Sequence, residues 1–467
     1  MATVIIQQPQ SIVSPIGLPL MFTVQNPAIV GSFYNVKFIA EVFVSSDFSL
    51  SLDPTMLIGR FKAVPNDAGS GMFDFKSVVE SFIKADNLGT KYTTFIDLAL
   101  EQGNPIPIHL IDKFSLNTNV IRFVAVKFSI EGAPVLGGPV AEQPGQEVTS
   151  NRYTMINTYV KETDPIKVVG NEFNFSLIDF FMNISPFPKG RFLTNAPFKQ
   201  YANIRDYGTL SFYINADKPA TNARIVYYNS SGSALHIDNI EVTEPNGGYD
   251  TYNNSLSSNK LLHFGCFPAN LINSSSYFNL GSLGVVDYYI ITIEHLAAQI
   301  SRQIRIYLNC PNQKGFDPIR LTWLNQYGVW DYYTFNLKST KTISTNGSTY
   351  EQLGGTWNEG TYKLLGHKGG KKQFRVNATE KIKMNTEFLD ENYNVIFEEL
   401  INSPEVYLLN DWEAFVAVST TIPSLSKFIE PVRLTTSSFT TKTIANDKLI
   451  QYTIEVEKSR NLRTQSI

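Results

Sequence analysis

Apolar residues along this chain recur mainly at every second position, the period of a β-strand that turns one face to a core. Between residues 33 and 44, Tyr34, Val36, Phe38, Ala40, Val42 and Val44 share one parity while Lys37 and Glu41 take the other, which predicts a strand packed on one side only. Residues 120–130 predict a second strand, with Ile121, Phe123, Ala125 and Lys127 on one side and Val120, Arg122, Val124, Val126 and Phe128 on the other. Further strands are expected near 55–64, 209–214, 223–228, 235–242, 285–293, 302–309, 373–384, 406–409, 414–418, 432–435 and 449–457. The strongest signal lies at 319–335, where two runs of β-branched and aromatic residues flank Asn325-Gln326-Tyr327-Gly328. Asn at the start and Gly at the end of that segment is the residue usage of a hairpin on a type I turn. Leu321 and Trp323 on one arm and Val329, Asp331, Tyr333 and Phe335 on the other fall at period two, so each arm is expected to give one face to a core and one to water or a partner. Trp323 and Trp330 then either fill a sheet core or place one ring at a subunit interface, where Trp is over-represented.

Helical spacing occurs twice. Ser77 and Glu80 are spaced as a capping box ahead of Val78, Val79, Phe82 and Ile83. Residues 390–401 carry Leu389, Tyr393, Ile396, Phe397 and Leu400 on one face and stop at Ser403-Pro404. Gly and Pro interrupt 132–147, which predicts a long loop or boundary, and the polar stretches 245–260 and 339–359 predict exposed loops. The polar tail 458–467 is expected to be disordered or ordered only by a partner. The whole pattern predicts a mainly β protein of several antiparallel, sandwich-like domains with one or two short helices: 1–148, 149–338 with the Trp-rich hairpin, and 339–467 with one helix.

Composition narrows the function. At 467 residues, 43% hydrophobic and 13% aromatic, the chain can bury substantial cores and exceeds the size of one compact domain. A formal charge of -3, with no long block of like charge, argues against nucleic acid or an anionic membrane surface as partner. No run approaches the roughly 20 apolar residues of a membrane span, so no membrane insertion is expected. Cys266 and Cys310 sit in apolar strand-like settings, as buried thiols or as a single disulfide. The opening residues show no basic, then apolar, export signal, which predicts a protein that stays in the cytosol where it is made.

A search for chemistry yields little. His109, His236, His263, His295 and His367 lack the spacing of a local metal site, and no metal or other cofactor is expected. Gly69-Ser70-Gly71 and Ser230-Ser231-Gly232 lack the strand-turn-helix setting of a nucleophilic serine, and the glycines of 360–370 lack the spacing of a phosphate loop. A glycosidase built on distant carboxylates leaves no local signature, yet the expectation is a protein that is not an enzyme.

Three phrases carry a resemblance. Phe192-Leu193-Thr194-Asn195-Ala196-Pro197, the Arg320…Trp323-Leu324-Asn325…Gly328…Asp331…Thr334-Phe335 series, and the closing Tyr452-Thr453-Ile454-Glu455-Val456 with its polar tail resemble virion structural proteins of tailed bacteriophages. Ser14-Pro15-Ile16, Pro65-Asn66 and Gly71-Met72-Phe73-Asp74 are similar too. The resemblance implies a tail-hub or baseplate component, built into virions from the host bacterial cytoplasm, whose partners are copies of itself in a ring and other tail or collar proteins. The rival expectation is a receptor-binding or fibre module gripping host-surface glycan, with Trp357, Tyr249 and Tyr252 as stacking residues in exposed loops.

Overall fold

A computed structural model describes residues 3–9, 12–46, 52–89, 106–111, 113–116, 119–159, 167–169, 172–174, 180, 182, 189–214, 220–242, 260–278, 284–309, 315–356, 359–410, 428–436, 438–441, 450–460 and 462–466. The protein is mainly β, with several antiparallel and mixed sheets. It forms two compact units: residues 1–309 with 324–331, and residues 310–323 with 332–467.

In the first unit, a seven-stranded sheet runs in the order Val13–Pro15, Tyr153–Ile156, Ile121–Ala133, Tyr34–Ser45, Leu57–Ala63, with two short strands also pairing to Ile121–Ala133. One core joins Phe38, Val126 and Phe128 of this sheet to Phe22, Phe73 and Phe75. The rings of Phe22 and Phe128 stand 5.6 Å apart. A second core takes the opposite face: Phe43, Ile121, Phe123 and Ala125 meet Tyr213 and Tyr327. The expectation of a strand packed on one side only is therefore corrected. On the strand's other parity Ile39, Phe43 and Ser45 are buried, while Asn35 and Lys37 are exposed and Glu41 is half-buried. The other sheets of this unit include a six-stranded one, ordered Lys199–Ala202, Ile304–Leu308, Tyr288–His295, Asn222–Tyr228, Ala234–Glu241 with the short Ala298–Gln299 also on Tyr288–His295, and a three-stranded one of Thr209–Ile214, Lys260–Gly265 and Phe114–Leu116.

The helix expected from a capping box is Lys76–Glu80, and Ser77 lies inside it. The helix has no side-chain cap at its N-cap residue Phe75, and its first amide, Lys76 N, donates to Asp74 Oδ1 of the preceding strand at 3.0 Å. The carboxylate supplies the acceptor that a Ser77 cap would have offered one turn later.

The second unit holds an eight-stranded sheet in the order Trp330–Phe335, Ile319–Leu324, Val406–Leu409, Ile429–Leu434, Thr453–Lys458, Gly370–Asn385, Ser339–Gln352, with Leu462–Ser466 also on Gly370–Asn385. The helix Asn394–Asn402 buries Ile396, Phe397 and Leu400, and the Phe397 ring meets Tyr333 at 5.1 Å and Tyr452 at 5.2 Å. Two loop expectations fail here. Residues 339–352 form a strand of a long ribbon with Gly370–Asn385, and the tail forms the strand Leu462–Ser466. A strand exposed on both faces needs no apolar alternation, because its backbone pairing is indifferent to polarity. Strands expected at 414–418 lie outside the described residues.

Candidate functional site

The hairpin apex is a densely bonded polar point of the first unit. Asn325 N donates to Val329 O at 2.8 Å and Gly328 N to Asn325 O at 3.0 Å, with Gly328 at φ +74°, which is a type I turn closed by a left-handed glycine. The Asn325 carboxamide does three things at once. Its Oδ1 accepts from the Tyr327 amide at 2.9 Å, while Nδ2 donates to Leu193 O at 2.8 Å and to Asp331 Oδ2 at 3.1 Å. The Tyr327 hydroxyl donates to Asn195 Oδ1 at 2.9 Å. The Phe192–Pro197 phrase and the hairpin phrase, far apart in the chain, thus read each other through side chains. Burial pushes the Asp331 carboxyl up to about 6, against the hydrogen bonds from Thr194 and Asn325 that favour its charged form.

The residues singled out from sequence fall in both units. Trp330 and Asp331 belong to the first, Trp323, Tyr333 and Phe335 to the second, and Trp357 lies outside the described residues, as do Tyr249 and Tyr252. Trp323 is 0% exposed and Trp330 2%, so both rings are closed off within the chain itself. Arg320, Thr322, Tyr332 and Thr334 are buried as well, so the expected open face of the hairpin arms is not open. Arg320 makes this tolerable: its Nη1 donates to Thr334 Oγ1 at 2.7 Å and its guanidinium lies 5.1 Å from the Tyr332 ring centre. Tyr333 packs edge-on against Phe335 at 4.9 Å.

Trp330 leads to a group that the sequence did not reveal. Its Nε1 donates to the carbonyl of Asp86 at 2.7 Å, and the His109 ring meets it edge-on at 5.2 Å. The Asp86 carboxylate sits 3.2 Å from His263 Nε2, and His263 Nδ1 lies 2.8 Å from Ser211 Oγ. An ionised carboxylate only accepts, so Nε2 carries the proton and Nδ1 accepts from the Ser211 hydroxyl. The composition is that of a catalytic triad, but the arrangement is not. A triad holds Nδ1 on the carboxylate and Nε2 on the nucleophile, with the nucleophile open to substrate. Here the ring is reversed, and Asp86, His263 and Ser211 are 1%, 0% and 3% exposed. The trio is a structural link, continued by Asn270, whose Nδ2 donates to the carbonyls of His109 and Ile111. Among the described residues no group of three His, Cys, Asp or Glu is placed to hold a metal, and no helix is long and apolar enough to cross a membrane.

Outward chemistry is found on two surfaces. On the six-stranded sheet, Tyr201, Tyr307, Tyr288 and Tyr228 stand directly opposite one another across four strands. Their ring centres are 5.6, 5.0 and 4.9 Å apart, and the Arg305 guanidinium lies 4.9 Å from the Tyr288 centre. Because neighbouring faces cover each other, the row offers ring edges and hydroxyls outward. The tyrosine doublets at 227–228 and 288–289 were the available signal for it. The second surface is the ribbon Ser339–Gln352 with Gly370–Asn385. Residues 340–349 are exposed without a break, and Ile343, Phe374, Leu353 and Leu364 are 62%, 56%, 68% and 78% exposed.

No family model and no curated protein sequence matches this chain.

Proposed function

We propose that the chain is a non-enzymatic structural subunit of a tailed-phage virion, a tail-hub or baseplate component that assembles with copies of itself into a ring and with other tail or collar proteins. The ribbon is the observation that supports this reading. It extends over 14 residues on one strand and 16 on the other, yet among the described residues none of 339–352 and none of 370–377 is buried. A monomer with no partner gains nothing from holding large apolar groups in water on an ordered arm, whereas a subunit that docks there buries them. The resemblance carried by the Phe192–Pro197 and hairpin phrases points the same way.

The test is excision of the outer ribbon, replacing residues 345–376 by a short turn. The subunit is expected to fold with an unchanged melting temperature in its first unit and to be absent from virions, with tail assembly stopped. Normal incorporation would refute the reading. Complete tailed particles that fail to adsorb would favour the glycan-gripping fibre module instead.

A further inference from the structure

Among the described residues the strand Ser339–Gln352 ends its sheet: it pairs with Gly370–Asn385 on one side, and no described strand lies on its other edge. Long edges of this kind are normally blunted by Pro, by several charges or by a bulge. This one has no Pro and only two charged residues, Lys341 and Glu351, and the irregularity at 348/349 places its extra residue, Phe374, on the partner strand. The open edge is thus regular over its whole length.

We propose that this edge pairs antiparallel with the same strand of a second copy of the chain, about a twofold axis through Asn346. The commitment to a second copy comes from the strand's own sequence. Antiparallel pairing of identical strands puts the twofold axis opposite a residue, so residue i faces residue 2c - i for a centre c. With the centre at 346, Lys341 faces Glu351 of the other copy, and this happens twice. Shifting the centre by one residue places Lys341 against Thr349 or Leu353 and loses both pairs. In the same register Ile343 meets Thr349, Thr342 meets Tyr350 and Ser344 meets Ser348, which are favourable cross-strand neighbours. Lys341 and Glu351 are both exposed and make no ion pair among the described residues. Pairing over 340–352 satisfies about a dozen backbone hydrogen bonds and covers Ile343. The contact is isologous, so it joins copies two by two, and it neither requires nor closes the ring proposed above.

Analytical ultracentrifugation of the full chain tests it. The wild type is expected to dimerise, and Lys341→Glu and Glu351→Lys are each expected to weaken the dimer about tenfold by setting like charges opposite one another. Mixing the two variants restores full affinity, because the mixed pair again opposes unlike charges at both ends; a merely damaged ribbon would not be rescued. Under copper–phenanthroline oxidation Asn346→Cys is expected to crosslink to its copy, and Ser344→Cys, displaced from the axis, to stay uncrosslinked. A strictly monomeric wild type, a dimer insensitive to both charge changes, or equal crosslinking at 344 and 346 would overturn the proposal. A ring that forms with unchanged affinity in both charge variants would refute the strand pairing and leave the ring reading standing. A charge-sensitive dimer absent from virions would do the reverse.

Discussion

Trp330 shows how much one residue can hold here. Its indole is buried, donates to Asp86 O at 2.7 Å, and so touches the Asp86–His263–Ser211 link. Trp330→Ala is expected to cost on the order of 3–5 kcal/mol. The scattered histidines suggest no shared task, so a histidine change would be milder. The buried link sets a different expectation for one of them: His263→Ala leaves the Asp86 carboxylate buried beside an empty space, and removing one member of a buried charged link costs a comparable 3–5 kcal/mol or so. Chemical denaturation should show similar losses for the two variants; a histidine loss below about 1 kcal/mol would show that Asp86 finds another partner. Asp331 makes a second, pH-dependent case. Its folded carboxyl titrates near 6, above the usual 3.8, so the folded chain binds this proton more tightly than the unfolded chain does. Stability from this group is therefore greatest at low pH, falls as pH rises from about 4 to about 6, and is lost above that. Asp331→Asn is expected to flatten that fall in unfolding curves taken at pH 4.5 and 7.5, and an identical fall in both proteins would refute the assignment.

Among the elements, the hairpin turn is the one that sequence and structure describe alike. Asn at its start and Gly at its end predicted the turn type, and the bonds from Asn325 confirm it. What the pattern could not supply is why Gly328 tolerates no replacement. A Cβ there would lie 2.0 Å from Asn157 O, on a residue already at φ +74°. Gly328→Ala is expected to cost about 2 kcal/mol or more, from the left-handed backbone and the collision together; a loss below about 0.5 kcal/mol would show that the 157–159 segment moves aside freely. The strands at 209–214 and 406–409 match their expected bounds because each is a short apolar run with clear ends. Residues 339–352 escaped notice for the opposite reason: polar on both faces, they lack the period that reveals a half-buried strand.

For the whole molecule, the buried surfaces explain folding, and the proposed assembly would rest on the exposed ones. The tyrosine row is rich in the residue types that concentrate at interface hot spots, as Arg305 beside Tyr288 illustrates. On the virion role proposed above, Tyr288→Ala with Arg305→Ala is expected to leave far-ultraviolet circular dichroism unchanged while lowering the amount of subunit recovered in particles; undiminished incorporation would remove this face from the proposed assembly surfaces.

The sequence by itself determined the mainly β class, the hairpin with its turn type, and a helix expected over 390–401 and found at Asn394–Asn402, because each depends on local spacing of apolar residues and on turn residues that act within a few positions. The tertiary structure alone decided the rest. The strands of 34–45 and 121–133 are buried on both faces because a second core forms from residues such as Tyr213 and Tyr327, which no local pattern places there. Asp86 meets His263 across 177 positions and His263 meets Ser211 across 52, distances over which spacing carries no signal. Local periodicity reports which face a residue occupies; only the closed fold determines what that face meets.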